Sequence, residues 1–494
     1  MGKTIAVILI SIILLTSFVS CKNDPGCTIK FYANGGTGEM SDQTVGVNQT
    51  ASLKANAFTK ENCIFTGWNT EADGSGTAYA DCEELTVTKS MDLYAQWAVK
   101  GVSITFDSNN GSSQTASQIV PLNRPTALRE NTFTNGSLVF AGWNTKEDGS
   151  GTSYADGAQI EATQKMTLYA QWGIILTDDI VFLTGSIYIL NSNVTWNDRV
   201  FVYNSNARLI LHDGFTLTAE KGIHVPSGAI LIIDADGEGT GCIVASSTDK
   251  AGIGGGGGGD KGGTIIINGG IINAESGTGA GIGGGIGTNG CHVTINNGTI
   301  TATSDSGAGI GGGQSGNGGT LIINGGTITA TSTFGAGIGG GGGGDGGTVT
   351  INNGTITATS TSGAGIGGGE TGAGGQVTIS GGTVEASSTS GAGIGGGSGG
   401  DGGTVTINNG IIIITSFSGA GIGGGDGGNG GSVTINGGRV NTTSDKSVGI
   451  GRGYYGTSDG ALDLGTGVSL IVSDDNSNWS SYDGTRKHYM KTPL

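Results

Sequence analysis

The sequence predicts an all-β protein, and two kinds of internal repeat carry that prediction. Residues 251 to 452 repeat a Gly-rich unit with a period of 28, and residues 28 to 97 reappear at 103 to 172, an offset of 75. Within the Gly-rich units apolar residues alternate with Thr, which is the period of a strand with one buried face, and no helical period is present. The chain of 494 residues has 104 Gly but only 5 Pro, which excludes collagen because its triple helix requires abundant Pro.

The first 20 residues are predicted to form an export signal. Lys3 precedes an apolar run from Ile5 to Leu15, which is too short to span a membrane as a helix. The segment resembles bacterial lipoprotein signal peptides, and this implies that Cys21 carries lipid at the start of the mature chain. Residues 21 to 27 would then be a tether, and acyl chains would hold the protein in the membrane, at the cell surface or outer membrane. An ordinary secretory signal is the alternative.

The paired segments 28–97 and 103–172 are predicted to be two copies of one small β module. Both carry a near-identical stretch, GWNTEADGSGTAYAD or GWNTKEDGSGTSYAD, and both end in LYAQW. They resemble the Listeria–Bacteroides repeat of internalin-type surface proteins, which implies a small β-grasp-like fold. We expect Trp68 and Trp143 to be core residues; an exposed aromatic patch that binds sugar or protein is the alternative.

Two cysteines occur in the first module alone. Cys63 and Cys82 correspond to Leu138 and Gly157 in the second copy. Their paired appearance in an exported domain predicts a disulfide between them, although Cys27 leaves another pairing open.

The 28-residue unit reads GAGIGGG, a Gly-rich turn, TVTINNG and TITATS. Three short strands per unit, stacked at about 4.8 Å, predict a parallel β-helix. Residues 173 to 250 are expected to form earlier, irregular rungs, and residues 453 to 494, with Trp479, Tyr482 and Tyr489, to cap the last rung. The arrangement resembles the pectin-lyase-like β-helix of bacterial surface proteins.

Two columns of polar residues recur at the corners of the repeat. One is expected to hydrogen-bond from rung to rung through side-chain amides and consists of Asn268, Asn296, Asn324, Asn352, Ser380, Asn408 and Asn436. The other consists of Asn289, Asn317, Asp345, Asp401 and Asn429 and is broken by Ala373. Stacked acidic turns can bind Ca²⁺, but Asn dominates this column, so a ladder of Asx turns without metal is expected. No cofactor and no metal are predicted.

The charge balance bears on partners. Thirty-nine acidic and twenty-two basic residues give a formal charge of −17, which repels phosphate backbones, so no nucleic-acid partner is predicted. The predicted function is that of a surface lipoprotein acting as an adhesin or structural display protein for an extracellular protein or glycan.

Outward Thr residues form the candidate ligand face of the β-helix. They make a three-by-three array of Thr299, Thr301, Thr303, Thr327, Thr329, Thr331, Thr355, Thr357 and Thr359. A regular Thr lattice is also similar to the ice-binding face of some solenoid antifreeze proteins, which is a minor alternative.

Enzymatic activity is not predicted. The acids of the regular rungs occupy mostly different columns, so they do not form the carboxylate pair of a glycoside hydrolase. The competing hypothesis is a polysaccharide lyase or hydrolase, or a carbohydrate-binding protein, with its site among residues 178 to 250, where His212, Asp213 and His224 lie.

Overall fold

The computed structural model describes residues 26–203, 206–473, 480–481 and 489–491, and all regular elements among them are strands. The predicted all-β class is therefore confirmed. The predicted export signal, Cys21 and most of the predicted tether lie outside the described residues, as do Trp479 and Tyr482 of the predicted cap. Within the described part of the chain, no helix is long and apolar enough to cross a membrane.

The described chain forms two compact units. The first contains the residues up to 108 together with 112–130 and 145–169, and the second contains 109–111, 131–144 and the residues from 170 onward. The first module thus lies wholly in the first unit, whereas the second module contributes residues to both.

The first module is built on a five-stranded sheet. Strand Cys27–Tyr32 runs parallel to Met91–Val99, with Ile29 opposite Met91. The sheet order is Gln43–Val45, Cys27–Tyr32, Met91–Val99, Cys63–Asn69 and Ala78–Tyr79, and a separate antiparallel ladder joins Gln49–Ser52 to Glu84–Val87. Trp68 is fully buried, with its ring centroid 4.9 Å from that of Phe31 and 5.0 Å from that of Phe65. Trp68 is therefore a core residue, as predicted.

The second module repeats the same pairing pattern. In the first unit, Gly101–Asp107 pairs antiparallel with Thr115–Pro121, and its residues from Ile104 run parallel to the start of Met166–Ile175. In the second unit Trp143 is buried against Phe140, with ring centroids 4.9 Å apart, so it too is a core residue. The remaining strands are Pro125–Ala127, Val139–Asn144, Ser153–Tyr154 and Gln159–Glu161.

The predicted disulfide of the first module is absent. Cys63 and Cys82 are both free thiols. Cys63 begins a strand of the five-stranded sheet, opposite Val99. Cys82 is exposed in a turn with a φ of 57°, just before the separate ladder strand Glu84–Val87. Cys82 thus lies outside the sheet that contains Cys63, and the expectation of a bond between them is corrected.

The solenoid in the second unit has three parallel sheets, here called sheets I, II and III in their order within a rung. Sheet I has eleven strands, namely Phe182–Leu183, Val200–Val202, Ile223–His224, Ile253–Gly254, Ile282–Gly283, Ile310–Gly311, Ile338–Gly339, Ile366–Gly367, Ile394–Gly395, Ile422–Gly423 and Ile450–Gly451. Sheet II contains Ile187–Leu190, Asn206–Leu211, Ile230–Ala235, Thr264–Ile267, His292–Ile295, Thr320–Ile323, Thr348–Ile351, Gln376–Ile379, Thr404–Ile407, Ser432–Ile435 and Ala461–Leu464. Sheet III contains Val194–Trp196, Thr216–Ala219, Cys242–Ser247, Ile271–Ser276, Thr299–Ser304, Thr327–Ser332, Thr355–Ser360, Thr383–Ser388, Ile411–Ser416 and Arg439–Ser444.

Each rung stacks on the next in exact register. Thr299 pairs with Thr327, and Thr327 pairs with Thr355, so residues 28 apart in the chain lie one above the other. The inward side chains of each rung are apolar and buried, as for Ile328 and Ala330. The predicted parallel β-helix with a 28-residue period is therefore confirmed, and its strands continue upstream of residue 250.

Gly is required where sheet I turns outward. Gly311 has a φ of 141°, and a Cβ on it would lie 2.0 Å from the carbonyl oxygen of Gly339 in the next rung. Only a residue without a side chain fits this close backbone approach, which explains the repeated Ile-Gly pair.

At the carboxyl end the chain adds an antiparallel strand to sheet III. Tyr489–Lys491 pairs with Arg439–Ser444 and with Ile471–Ser473, which also pairs with Ser480–Ser481. The edge of the last regular sheet III strand is thus occupied by backbone hydrogen bonding.

Candidate functional site

Sheet III presents the predicted Thr array on its outward side. Strand alternation buries the Ile, Ala and Ser of each TITATS stretch and turns every Thr outward. The nine residues stack in three columns, and Thr359 Oγ1 donates to Thr331 Oγ1 at 3.1 Å. Hydroxyls recur about every 4.8 Å between rungs and about 6.7 Å along a strand. The structure thus brings all nine predicted face residues together.

The composition of this face changes on either side of the array. The rung before it presents Ile271, Asn273 and Glu275, and the rung after it presents Thr383, Glu385 and Ser387. One rung further, Ile411 and Ile413 make the face apolar.

A groove follows the edge of sheet III towards sheet I. Its first part, a cavity of about 610 Å³, is lined by residues that include Arg199, Phe201, Glu220 and Glu275. Its second part, about 450 Å³, is lined by residues that include Glu275, Thr303 and Thr331. Because both parts share Ser247, Thr248 and Glu275, they form one groove along the rungs.

Arg199 fixes the corner beneath the first cavity. Its Nη1 donates to the carbonyl oxygens of Lys221 at 3.0 Å and Ala251 at 3.1 Å, and its Nη2 donates to that of Gly255 at 3.1 Å. Burial lowers the pKa of Arg199 to about 10, so the guanidinium remains charged at neutral pH. Its donors serve the backbone, which makes it a structural support of the groove.

The residues of the predicted alternative enzyme site do not converge. His212 pairs with Asp236 at 3.2 Å, whereas His224 hydrogen-bonds to Asp260. Asp213 accepts hydrogen bonds from the backbone N–H groups of Glu238 at 2.6 Å and Thr240 at 2.7 Å.

These bonds lower the pKa of Asp213. Each of the three candidates therefore has its own structural partner.

Asp260 organises the Gly loop beyond sheet I. Its carboxylate accepts hydrogen bonds from the His224 ring and from the backbone N–H groups of Ser227 and Gly262, both at 3.1 Å. Burial opposes ionisation, but these bonds outweigh it and lower the pKa of Asp260. The pair holds the loop with a half-buried polar contact.

Both predicted corner columns form ladders. In the first, Asn Nδ2 groups donate to the Asn Oδ1 one rung before, at 2.7 Å from Asn296 to Asn268 and 2.8 Å from Asn352 to Asn324, and the ladder is interrupted at Ser380. In the second, each side-chain oxygen accepts from the backbone one rung later, at 3.0 Å from Asn317 N to Asn289 Oδ1.

The second ladder bears on metal binding. Asp345 and Asp401 each give a carboxylate oxygen to the backbone of the following rung. Across the described residues, no group of three or more His, Cys, Asp and Glu side chains is placed to hold a metal ion.

Two features were missed by sequence reasoning. A buried Ser column ties sheet III to the next corner: Ser332 Oγ donates to the Gly307 carbonyl at 2.7 Å and accepts from Gly335 N at 2.9 Å. An aromatic column formed by Phe182, Phe201 and His224 occupies the outward position of sheet I. The invariant Ser at the end of TITATS was a usable signal, but the unequal spacing of the early rungs hid the second column.

Comparison with known proteins identifies both repeat types. Residues 28–96 and 103–171 match the Listeria–Bacteroides repeat domain. Residues 293–314, 321–342, 349–370 and 377–398 match a beta helix repeat. The predicted Listeria–Bacteroides repeats and the predicted β-helix repeats are therefore confirmed.

Two relatives come from Evansella cellulosilytica. One, named "Putative Gly-rich membrane protein", is 34% identical over 119 residues, which cover 22% of this chain and 14% of the relative. The other, named "Putative membrane protein", is 30% identical over 149 residues, which cover 29% of this chain and 22% of the relative. The chain thus spans less than a quarter of either relative. No solved structure matches the chain significantly.

Proposed function

We propose that this chain, which carries two Listeria–Bacteroides repeats followed by a β-helix repeat domain, is a lipid-anchored surface adhesin. The observation that carries the proposal is the array of nine Thr hydroxyls held in register on sheet III. Each hydroxyl can donate and accept a hydrogen bond. Regularly spaced weak contacts add by avidity, because one bound contact raises the local concentration of the next.

The array is suited to this role because its support is rigid. The Asn ladder and the buried Ser column lie at the two ends of each sheet III strand and bond each rung to the next. Little side-chain or backbone order then has to be gained on binding, which limits the entropic cost of association.

Surface location is supported by the relatives and by the repeats. Both relatives are named as membrane proteins, and the predicted export signal, residues 1–20, directly precedes Cys21. In the proposal a lipid on Cys21 anchors the chain, and the two modules lie between Cys21 and the solenoid in the sequence. A Cys21→Ser variant is expected to move from the membrane fraction to the medium, and retention of the variant in the membrane would count against lipid anchoring.

The adhesive face is tested by removing hydroxyls while keeping the side-chain shape. Thr301→Val, Thr329→Val and Thr357→Val alter the central column of the array, and binding of the full chain is measured on immobilised matrix proteins and a glycan array. The matched control changes a column of sheet II, Thr350→Val, Thr378→Val and Thr406→Val, which has the same register. Binding lost only in the sheet III variant supports the proposal, whereas equal behaviour of both variants contradicts it.

Two competing functions are decided in parallel. The flat Thr lattice also favours ice binding as a second candidate, which requires inhibition of ice recrystallisation that the sheet III variant loses. A polysaccharide-cleaving enzyme requires product release from pectin or glycosaminoglycan that is lost on changing His212, Asp213 or His224. Either result would replace adhesion as the function.

A further inference from the structure

Exposed aromatic rings mark the early rungs of sheet I. Phe182, Phe201 and His224 stack in register at the outward position, where the next rung has Gly254. The Phe182 ring lies 6.0 Å from Phe201 and 6.0 Å from Tyr203 between centroids. Phe182 is 52% exposed and Phe201 37% exposed. Large aromatic side chains exposed together are unusual on a soluble surface and indicate binding.

The aromatic group opens into the groove already described. Phe201 packs on His224, with centroids 5.0 Å apart, and also lines the first cavity beside Arg199. From there the groove passes Glu220 and Glu275 and reaches Thr303 and Thr331. Four rung spacings of about 4.8 Å make this path roughly 19 Å long.

The charges of the first cavity balance. Three basic residues, Arg199, Lys221 and Lys250, face three acidic ones, Glu220, Asp249 and Glu275. Arg199 serves the backbone, Lys221 pairs with Asp198 at 2.7 Å, and Lys250 pairs with Asp249 at 3.2 Å.

Two carboxylates of the cavity remain available. Among the described residues, the side chains of Glu220 and Glu275 have no hydrogen-bond or ion-pair partner. The groove therefore offers aromatic faces, two acceptor carboxylates and a row of hydroxyls.

We propose that this groove binds a linear, uncharged polysaccharide along the solenoid axis. The inference rests on the proposed adhesive function and names its ligand class. Sugar rings present C–H faces that pack on aromatic rings, and their hydroxyls donate to carboxylates and to Thr hydroxyls. The length of the groove fits several consecutive sugar units.

The charge pattern selects an uncharged ligand. An acidic polysaccharide would meet Glu220 and Glu275 and the overall charge of −17. A basic peptide would bring its cations close to Lys221 and Lys250, which line the same cavity. Hydroxyl groups satisfy the two carboxylates without either repulsion.

Calorimetric titration of the full chain tests the proposal. The probes are cellohexaose, xylohexaose and mannohexaose, compared with cellobiose, hexagalacturonate and a Lys-rich peptide. At least one neutral hexasaccharide is expected to bind roughly tenfold more tightly than cellobiose, which fills only part of the groove, and more tightly than both charged probes. Its affinity is expected to be insensitive to salt, since no ion pair forms.

Two groove variants assign the binding to these residues. Phe201→Ala with Tyr203→Ala removes two of the exposed aromatic faces, and its matched control is Tyr454→Ala with Tyr455→Ala, an exposed aromatic pair on the last rung. Glu220→Gln with Glu275→Gln keeps side-chain size, and its control is Glu385→Gln on sheet III. Each groove variant is expected to weaken binding roughly tenfold, with the controls unchanged. If the aromatic variant fails to fold, the Glu variant still shows whether binding depends on the groove.

The inference is overturned if no neutral hexasaccharide binds, if both groove variants bind normally, or if the Lys-rich peptide binds more tightly and depends on the two Glu residues. The proposed adhesive function is tested by different residues, so its failure can be distinguished from failure of the polysaccharide inference. The Thr301, Thr329 and Thr357 column does not line the groove. Matrix or glycan-array binding that depends on that column, without hexasaccharide binding, overturns only the polysaccharide inference.

Discussion

Asn324 links three rungs of the solenoid through one side chain. Its Nδ2 donates to Asn296 Oδ1 at 2.7 Å, and its Oδ1 accepts from Asn352 Nδ2 at 2.8 Å. The ladder continues downwards through Asn268 to Asp234. Because both polar ends of each amide are bonded, the corner between sheets II and III is tied from rung to rung.

Replacing Asn324 is expected to destabilise the solenoid. Asn324→Ala removes two side-chain hydrogen bonds and leaves the amides of two neighbours each short of one partner, which costs about 1 to 2 kcal/mol in the free energy of unfolding. Urea denaturation measures the change. The control is Asn353→Ala, which changes the exposed residue next to Asn352 in the following rung. It is expected to change the free energy of unfolding by less than about 0.5 kcal/mol. Equal losses in both variants would show that the ladder contributes nothing specific.

The interruption of this ladder offers a gain of stability. Ser380 stands between Asn352 and Asn408, and the ladder resumes from Asn436 to Asn408 at 2.9 Å. Ser380→Asn supplies the missing amide and is expected to raise the free energy of unfolding by about 1 kcal/mol. A midpoint of urea unfolding at or below that of the natural chain would contradict this expectation.

Gly339 is predicted to tolerate no side chain. A Cβ there would lie 2.0 Å from the Gly367 carbonyl oxygen, in backbone that cannot move without displacing the next rung. Gly339→Ala is expected to cost about 3 kcal/mol or more. Gly399 also has a positive φ, of 95°, but a Cβ on it would meet open space. Gly399→Ala is therefore expected to lower the free energy of unfolding by only about 1 kcal/mol. Thermal unfolding compares the two, and similar midpoints would refute the close-approach argument.

Asp260 is expected to make stability depend on pH in the acid range. Its pKa in the folded chain lies below the ordinary 3.8, chiefly because the His224 bond and two backbone N–H groups outweigh burial. The folded state therefore holds this proton less tightly than the unfolded state. The stabilisation is complete above pH 3.8 and is lost as the pH falls through the lowered value.

The Asp260→Asn variant tests this dependence. It is expected to lose about 1 kcal/mol at neutral pH and to show a flatter stability profile below pH 4 than the natural chain. The control is Asp198→Asn, because the Asp198 carboxylate pairs with Lys221 on the surface. This variant should leave the dependence of stability on pH unchanged. Parallel profiles for the natural chain and the Asp260 variant would rule out this role for Asp260. The charge of Arg199 also acts on this group and is present in all three proteins.

The cysteines are expected to differ in reactivity. Burial raises the pKa of the Cys291 thiol to about 12, and only the thiolate is nucleophilic, so Cys291 should resist iodoacetamide in the folded chain. Cys82 is exposed and free and should be alkylated without reductant. Peptide mass spectrometry reads both sites. Alkylation of Cys82 and Cys63 only after reduction would restore the disulfide predicted from the sequence.

The architecture of the regular rungs follows directly from the 28-residue period. In a parallel in-register stack, residues 28 apart in the sequence become direct neighbours in adjacent rungs, as for Asn296 and Asn324 or Thr299 and Thr327. Aligning the repeats therefore shows which residues stack on one another. The Trp68 core position was equally readable, since a small module has few other places for its largest side chain.

Which residues of the irregular rungs meet could not be read from the repeat pattern. Unequal spacing gives no column to read, so the stacking of Phe182 on Phe201 and the placement of Glu220 and Glu275 in one cavity emerge only from the three-dimensional structure. The same holds for Cys63 and Cys82, which are free thiols in a sheet strand and in a turn, respectively. The local residue pattern sets the strands and their buried faces. Contacts between residues of different rungs depend instead on the number of residues in each rung, which varies among the early rungs.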